Sequence, residues 1–181
     1  KTLSETSMGE KDKNFCAALY YGVLERRITL DHIITGYSRM KLSKLRPEIL
    51  NILRTGIYQL KFMDNIPDSA AVNESVNIAR KLKLGSLSGF VNAVLRNFLR
   101  DGKQIKYPEN KTEKLSVEYS SPEWLVNLLL QNYSKNQAVS LLKSSVEKPP
   151  VTVRLNNLKG ETSQILERLS DFSPESTVID G

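Results

Sequence analysis

The chain has 181 residues, 40% of them hydrophobic and 25% charged, enough for one domain and part of a second and too apolar for disorder. No apolar run approaches the ~20 residues of a membrane span, and the polar residues 1–14 do not read as a secretory signal. The single cysteine, Cys16, excludes an internal disulfide frame and makes a reducing, cytoplasmic setting the expectation. The net charge of +6 is uneven: 18 Lys/Arg stand against 10 Asp/Glu up to Tyr107, and 8 against 10 from Pro108 onward. The first half is thus the one suited to a polyanion.

Residues 12–27 carry Phe15, Leu19 and Val23 at four-residue steps, which predicts an amphipathic helix. Leu30, Ile33, Ile34 and Tyr37 predict a second, with Asp31 in its acidic first turn. Lys41, Lys44 and Arg46 crowd the loop that follows. Pro47 suits the first position of a third helix, where its missing N–H costs nothing, and Ile49, Leu50, Leu53, Ile57 and Leu60 line its buried side. Asp68 or Ser69 is expected to cap a fourth helix with a core face of Val72, Val76, Ala79 and Leu82, and Gly85 to supply the positive φ at its end. Residues 89–100 predict a fifth helix with Phe90, Val91, Val94, Leu95 and Phe98 inward and Gly102 closing it. Five helices on short loops predict a mainly α fold, an all-helical bundle.

Residues 101–115 read as a polar linker, which places the domain boundary between a bundle of residues 1–107 and a second part of residues 108–181. Ser121-Pro122-Glu123 predicts a serine-capped helix with Trp124 as a core anchor, and another helix begins near Asn136. The pattern then shifts to period two: Val151, Val153 and Leu155 alternate with Thr152, Arg154 and Asn156, the signature of a strand. A helix about residues 162–169 and a strand start at residues 177–179 follow. One strand, a helix and the start of another strand cannot close a sheet, so this α/β part is expected to be truncated.

The strongest chemical signal is polar. Asn92, Arg96 and Arg100 stack on one helix face, as do Asn73, Asn77 and Lys81 on the preceding helix. Between Ser75 and Lys106 stand seven basic residues and one acid, Asp101. Arg80, Lys81, Lys83, Arg96, Arg100, Lys103 and Lys106 are therefore expected along one edge of the bundle, where cations on rigid helices can meet phosphates without reading bases. Arg154 projects from the polar face of the predicted strand, which suits either RNA or plain solvent; Asn73 and Asn92 suit either RNA or a neighbouring backbone. Catalytic candidates are lacking. The lone His32 and the packing thiol Cys16 make neither a nucleophile–base pair nor a zinc set, and no glycine-rich nucleotide loop is present. Tyr119 is a weaker candidate for stacking.

Three stretches together resemble one family. They are Glu10-Lys-Asp-Lys-Asn-Phe-Cys16 with Tyr21-Gly-Val-Leu-Glu-Arg-Arg27 and Leu30-Asp-His-Ile33; Leu53-Arg-Thr-Gly-Ile-Tyr-Gln-Leu60 with Pro67 and Ala71-Val-Asn-Glu-Ser-Val-Asn-Ile-Ala79; and Gly89-Phe-Val-Asn-Ala-Val-Leu-Arg-Asn-Phe-Leu-Arg100. They are similar to the NusB-like helical domain that opens the Sun/RsmB family of small-subunit ribosomal RNA cytosine-C5 methyltransferases. Tyr119-Ser-Ser-Pro-Glu-Trp-Leu125 and Pro149-Pro-Val-Thr-Val-Arg-Leu-Asn-Asn-Leu158 resemble that family's linker helices and the opening of its small RNA-binding subdomain. The resemblance implies one further helix before Lys1 and a methyltransferase domain after Gly181. That domain would carry the S-adenosylmethionine site and two active cysteines, neither matched by Cys16. It implies ribosomal RNA of the small subunit as partner, positioning as the role of this part, and no cofactor bound by these residues. The candidate RNA contacts, read from charge and spacing, are Arg80, Lys81, Lys83, Asn92, Arg96, Arg100, Lys103 and Arg154. Nothing in the sequence indicates self-association. Two other readings stay open: an RNA-binding antitermination factor like free-standing NusB, and a helical module whose basic face meets an acidic protein.

Overall fold

The computed structural model describes residues 7–147, 152–156 and 161–172. The chain divides into two compact units, Lys1–Glu147 and Lys148–Gly181. The first holds α1 (Glu10–Glu25), α2 (Arg27–Tyr37), α3 (Pro47–Phe62), α4 (Asp68–Lys81), α5 (Ser88–Arg100), α6 (Lys111–Glu118), α7 (Glu123–Asn132) and α8 (Lys135–Ser144). The second holds α9 (Thr162–Arg168) and a 3-10 turn, Ser170–Phe172.

α3 is the axis of the first unit and packs against α1, α2, α4 and α5. Pro47 starts it as predicted. Ile49, Ile52, Leu53, Gly56, Ile57 and Leu60 are buried along it, and the expected Leu50 lies at the core's margin. Phe98 and Leu95 of α5 and Leu30 and Ile34 of α2 complete the centre, each fully buried. Gly56 is required by close approach: a Cβ there would stand 2.8 Å from Ser75 Oγ of α4 and 3.0 Å from a Leu95 methyl of α5. Burying so much branched aliphatic surface at one axis is the main stabilising term of the fold.

Several local expectations are corrected. α4 has Pro67 in the cap place, with no side-chain cap, so Asp68 and Ser69 fall inside the helix, and Asp68 pairs with Lys103, 2.7 Å away. The positive φ that follows the end of the same helix belongs to Lys83, at 59°, not to Gly85, which opens a 3-10 turn. The turn is set by burying Leu84, whose N–H bonds Ala79 O at 2.9 Å; this hydrogen-bonded reversal outweighs the lysine's strain. Leu82 consequently points to solvent, 51% exposed. Asp31 lies beyond the first turn of α2 and forms a two-bond pair with Arg54, both contacts 2.7 Å. Gly102, at φ 69°, does close α5.

The predicted linker contains α6, capped by Asn110, whose side-chain oxygen accepts from Thr112 N and Glu113 N. Charged residues hid this short helix, whose buried positions are Ser116 and Val117. It packs on α2 and α7. Thr29 Oγ1 donates to Val117 O at 2.6 Å, and Ser120 Oγ accepts from Ile28 N at 3.1 Å. Ser121 is not the cap of α7, since Pro122 occupies that place and the Ser121 hydroxyl donates to Tyr119 O. Trp124 is no core anchor: it is 66% exposed, and Val126 is the buried residue of α7. Ser134 and Gln137 cap α8 reciprocally.

Residues 152–156 of the second unit carry no assigned strand, and no strand is found among the described residues. Val151 and the strand start at residues 177–179 lie outside the described residues. The helix expected about residues 162–169 is α9.

Candidate nucleic-acid interface

α4 and α5 pack side by side, and the polar residues of their outer faces meet in a groove of ≈ 480 Å³. Asn73, Asn77 and Arg80 enter it from α4, and Ser88, Gly89 and Asn92 from the first turns of α5. These positions fall together because residues three and four apart share a helix face. The inner faces of the same helices, Val72, Ser75 and Ala79 against Val91, Val94 and Leu95, are committed to the core.

The groove is pre-shaped by its own hydrogen bonds. Arg96 Nε donates to Asn92 Oδ1 at 2.9 Å, one helical turn away, which holds an exposed guanidinium beside the groove. Asn77 Nδ2 makes only a long contact of 3.5 Å to Glu74 Oε1. Arg80 is exposed at the rim. A planar guanidinium keeps several donors for phosphate oxygens after one is used.

Of the sequence-predicted residues, Arg80 and Asn92 are thus brought together, and Arg96 joins them through its bond to Asn92. Lys81 and Lys83 follow Arg80 at the end of α4, both exposed. Arg100 lies farther along α5, in a different depression with Arg39, Asn97 and Lys106. Lys103 is half-buried and works as a strut: its ammonium pairs with Asp68, and its carbonyl accepts from Lys61 Nζ at 2.9 Å. Arg154 is exposed in the second unit. Sequence reasoning missed Ser88 as a groove residue and Arg39 as a neighbour of Arg100. The first had no signal beyond its place opposite Asn73, and the second preceded a loop already marked as basic.

A hydrogen-bonded cluster braces the far end of α5. Tyr37 OH donates to Asp101 Oδ2 at 2.6 Å, and Lys106 Nζ bonds the same oxygen at 2.8 Å. Burial, then the Asp101 carboxylate, pushes the Tyr37 phenol up to about 12. Lys106 and then Tyr37 hold the Asp101 carboxyl below its ordinary value. His32 Nε2 donates to Lys106 O at 2.7 Å, so the lone histidine is a structural donor. Cys16 is a partly covered free thiol. Among the described residues no cluster of His, Cys, Asp and Glu could hold a metal ion, and no helix is long and apolar enough to cross a membrane.

Comparison with known proteins gives this arrangement a context. Residues 1–100 match the NusB family, and residues 121–177 match the RsmF/B-like methyltransferase ferredoxin-like domain. The chain is 33% identical to the probable ribosomal RNA small subunit methyltransferase B of Synechocystis sp., over 100% of this chain and 41% of that protein. It is 28% identical to the probable methyltransferase of the same name from Bacillus subtilis, over 93% of this chain and 38% of the relative. With ribosomal RNA small subunit methyltransferase B of Photorhabdus laumondii the identity is 34%, over 91% of this chain and 37% of the relative. The chain therefore spans about two-fifths of the length of these relatives. It belongs to the NusB family, in the Sun/RsmB group that joins this helical domain to a ferredoxin-like one.

Proposed function

We propose that this chain is the RNA-gripping part of a small-subunit ribosomal RNA cytosine-C5 methyltransferase, working in the cytoplasm on an S-adenosylmethionine-dependent reaction carried out by a further domain. The observation that carries the reading is the α4–α5 groove, lined by Arg80 and Asn92 from two packed helices, with Arg96 bonded to Asn92 beside it. Such an arrangement meets RNA phosphates at fixed spacing and so orients the substrate, a contribution of positioning rather than bond making. Lys81, Lys83, Arg100, Lys103 and Arg154 are the further contacts in this reading, with Lys103 limited by its pairing to Asp68. The relatives' shared name and the match over residues 121–177 support a methyltransferase over a free-standing antitermination factor.

Fluorescence anisotropy of this chain with small-subunit ribosomal RNA fragments tests the grip. Affinity is expected to fall steeply with added salt as counterions compete. The double variant Arg80→Glu, Arg96→Glu is expected to lose on the order of tenfold or more, the scale of a charge-assisted hydrogen bond. Unchanged affinity in that variant would refute the choice of face. Transfer of a labelled methyl group to small-subunit RNA by the full-length protein tests the enzymatic half, and labelling of another base or no base would overturn it.

A further inference from the structure

Arg39, Arg100 and Lys106 come from three separate stretches: the turn after α2, the end of α5 and the segment beyond it. They line one open notch of ≈ 420 Å³ together with Tyr37, Asn97 and Asp101. Asp101 is the acid of this lining, and its Oδ2 is already engaged by Tyr37 and Lys106. Three cations against one occupied carboxylate leave the notch positive. Arg100 is steadied by Asn97, whose Oδ1 accepts from its guanidinium at 2.7 Å, and Lys106 lies 5.6 Å from the centre of the Tyr37 ring. Arg39 is exposed and leads into Lys41, Lys44 and Arg46, with no acid between Ser38 and Arg46. None of these cations lines the α4–α5 groove, and of them only Arg100 already figures in the RNA reading.

We infer that this notch is a second phosphodiester-binding point, taking the same RNA strand that lies in the α4–α5 groove. The inference rests on the RNA-binding reading above and extends it along α5. Asn92, Arg96 and Arg100 are four residues apart on one face, so groove and notch are separated by about 12 Å of helix rise. A single strand that leaves Arg80 and Asn92 passes Arg96 and reaches Arg100, Arg39 and Lys106. Phosphates at both ends fix the line that the strand follows over the protein, which one groove alone does not do.

The test uses the same chain with single-stranded small-subunit RNA fragments of graded length, titrated at several salt concentrations. Affinity is expected to step up once the RNA is long enough to span both points. In Arg39→Glu the step is expected to vanish, with a loss on the order of tenfold on long RNA and none on short RNA. The slope of log affinity against log salt should become shallower by about 0.7 for each phosphate of a single strand that the protein no longer neutralises. Arg39→Lys should keep most of the step. A step that survives Arg39→Glu, while Arg80→Glu weakens all fragments, overturns the notch and leaves the RNA reading standing. If neither variant changes binding, both the notch and the α4–α5 face are overturned as the RNA contact; no binding of any fragment by the unaltered chain would overturn the RNA reading itself. A lower melting temperature in Arg39→Glu with an unchanged salt slope would show that the cations serve only to offset the carbonyl ends of α2 and α5, and would also overturn the notch.

Discussion

α1 and α3 are both 16 residues long, and both read as amphipathic helices in sequence, yet the fold uses them oppositely. α3 buries six residues along its length, whereas α1 buries Gly22 alone. Phe15, Tyr20, Tyr21 and Leu24 of α1 are 41–62% exposed. A helix at the axis is covered from several sides and has its apolar stripe consumed. One at the margin touches its neighbour along a single line. Periodicity reports that a helix has a face, while the number of elements that meet that face comes from tertiary packing.

The largest test of the contrast is Leu53→Ala. Leu53 is fully buried where α3 meets its neighbours, so truncation removes transfer energy and leaves a cavity, at a cost of about 2–5 kcal/mol. Urea unfolding should show the midpoint falling with little change in slope. Next comes Gly22→Ala, at the one buried point of α1. An added Cβ there would run into the phenol ring of Tyr58 on α3. Overpacking of this kind costs about 1–3 kcal/mol. Restoration of the melting temperature by a second change, Tyr58→Ala, would assign the cost to that contact. Failure to restore it would mean that the line of contact between α1 and α3 runs elsewhere.

The bundle was legible because its signals are local and redundant. Pro47, the 3.6-residue stripe of α3 and the spacing of Phe90, Val94 and Phe98 all pointed to the same helices. α6 was not legible, because its eight residues expose charge and its two buried positions are Ser116 and Val117. Trp124 misled for the complementary reason: a large apolar ring need not be inside when its helix has one covered flank. The groove was half legible. Spacing placed Asn92, Arg96 and Arg100 on one face, but the meeting of Arg80 with Asn92, and of Arg100 with Arg39, depends on which helix ends the fold brings together. Lys103 shows the same limit: its charge was countable, but its capture by Asp68 is a long-range contact.

A pH titration sharpens the comparison at the α1–α3 seam. Burial first, and then the Glu25 carboxylate, raise the Tyr58 phenol above its ordinary 10.0, while Arg26 pulls it down. The folded state thus favours the neutral phenol more than the unfolded state does. That contribution is fully present below pH 10 and is lost as pH rises through the raised folded value. Stability of the chain should therefore decline on the alkaline side above pH 10, and Tyr58→Phe should decline less. An equal decline in both would show that other groups dominate; Tyr37, displaced further, is the first to test by Tyr37→Phe.

The smallest effect belongs to the outer face of α1, and it decides whether the contrast is real. Tyr20 is 61% and Tyr21 62% exposed. Replacing either by a polar residue removes little buried surface and opens no cavity, so Tyr20→Ser and Tyr21→Ser should each change stability by about 0.5 kcal/mol or less. Helix propensity works in the same direction, since serine and the aromatic residues rank close together in helix interiors. A loss comparable to that of Leu53→Ala would mean that this face is covered in solution. Neutral outcomes would establish that the stripe on α1 is a surface whose apolar character is not spent on folding the described bundle. Stability would then be concentrated where four helices converge on α3, and α1 would be held by its glycine contact with Tyr58.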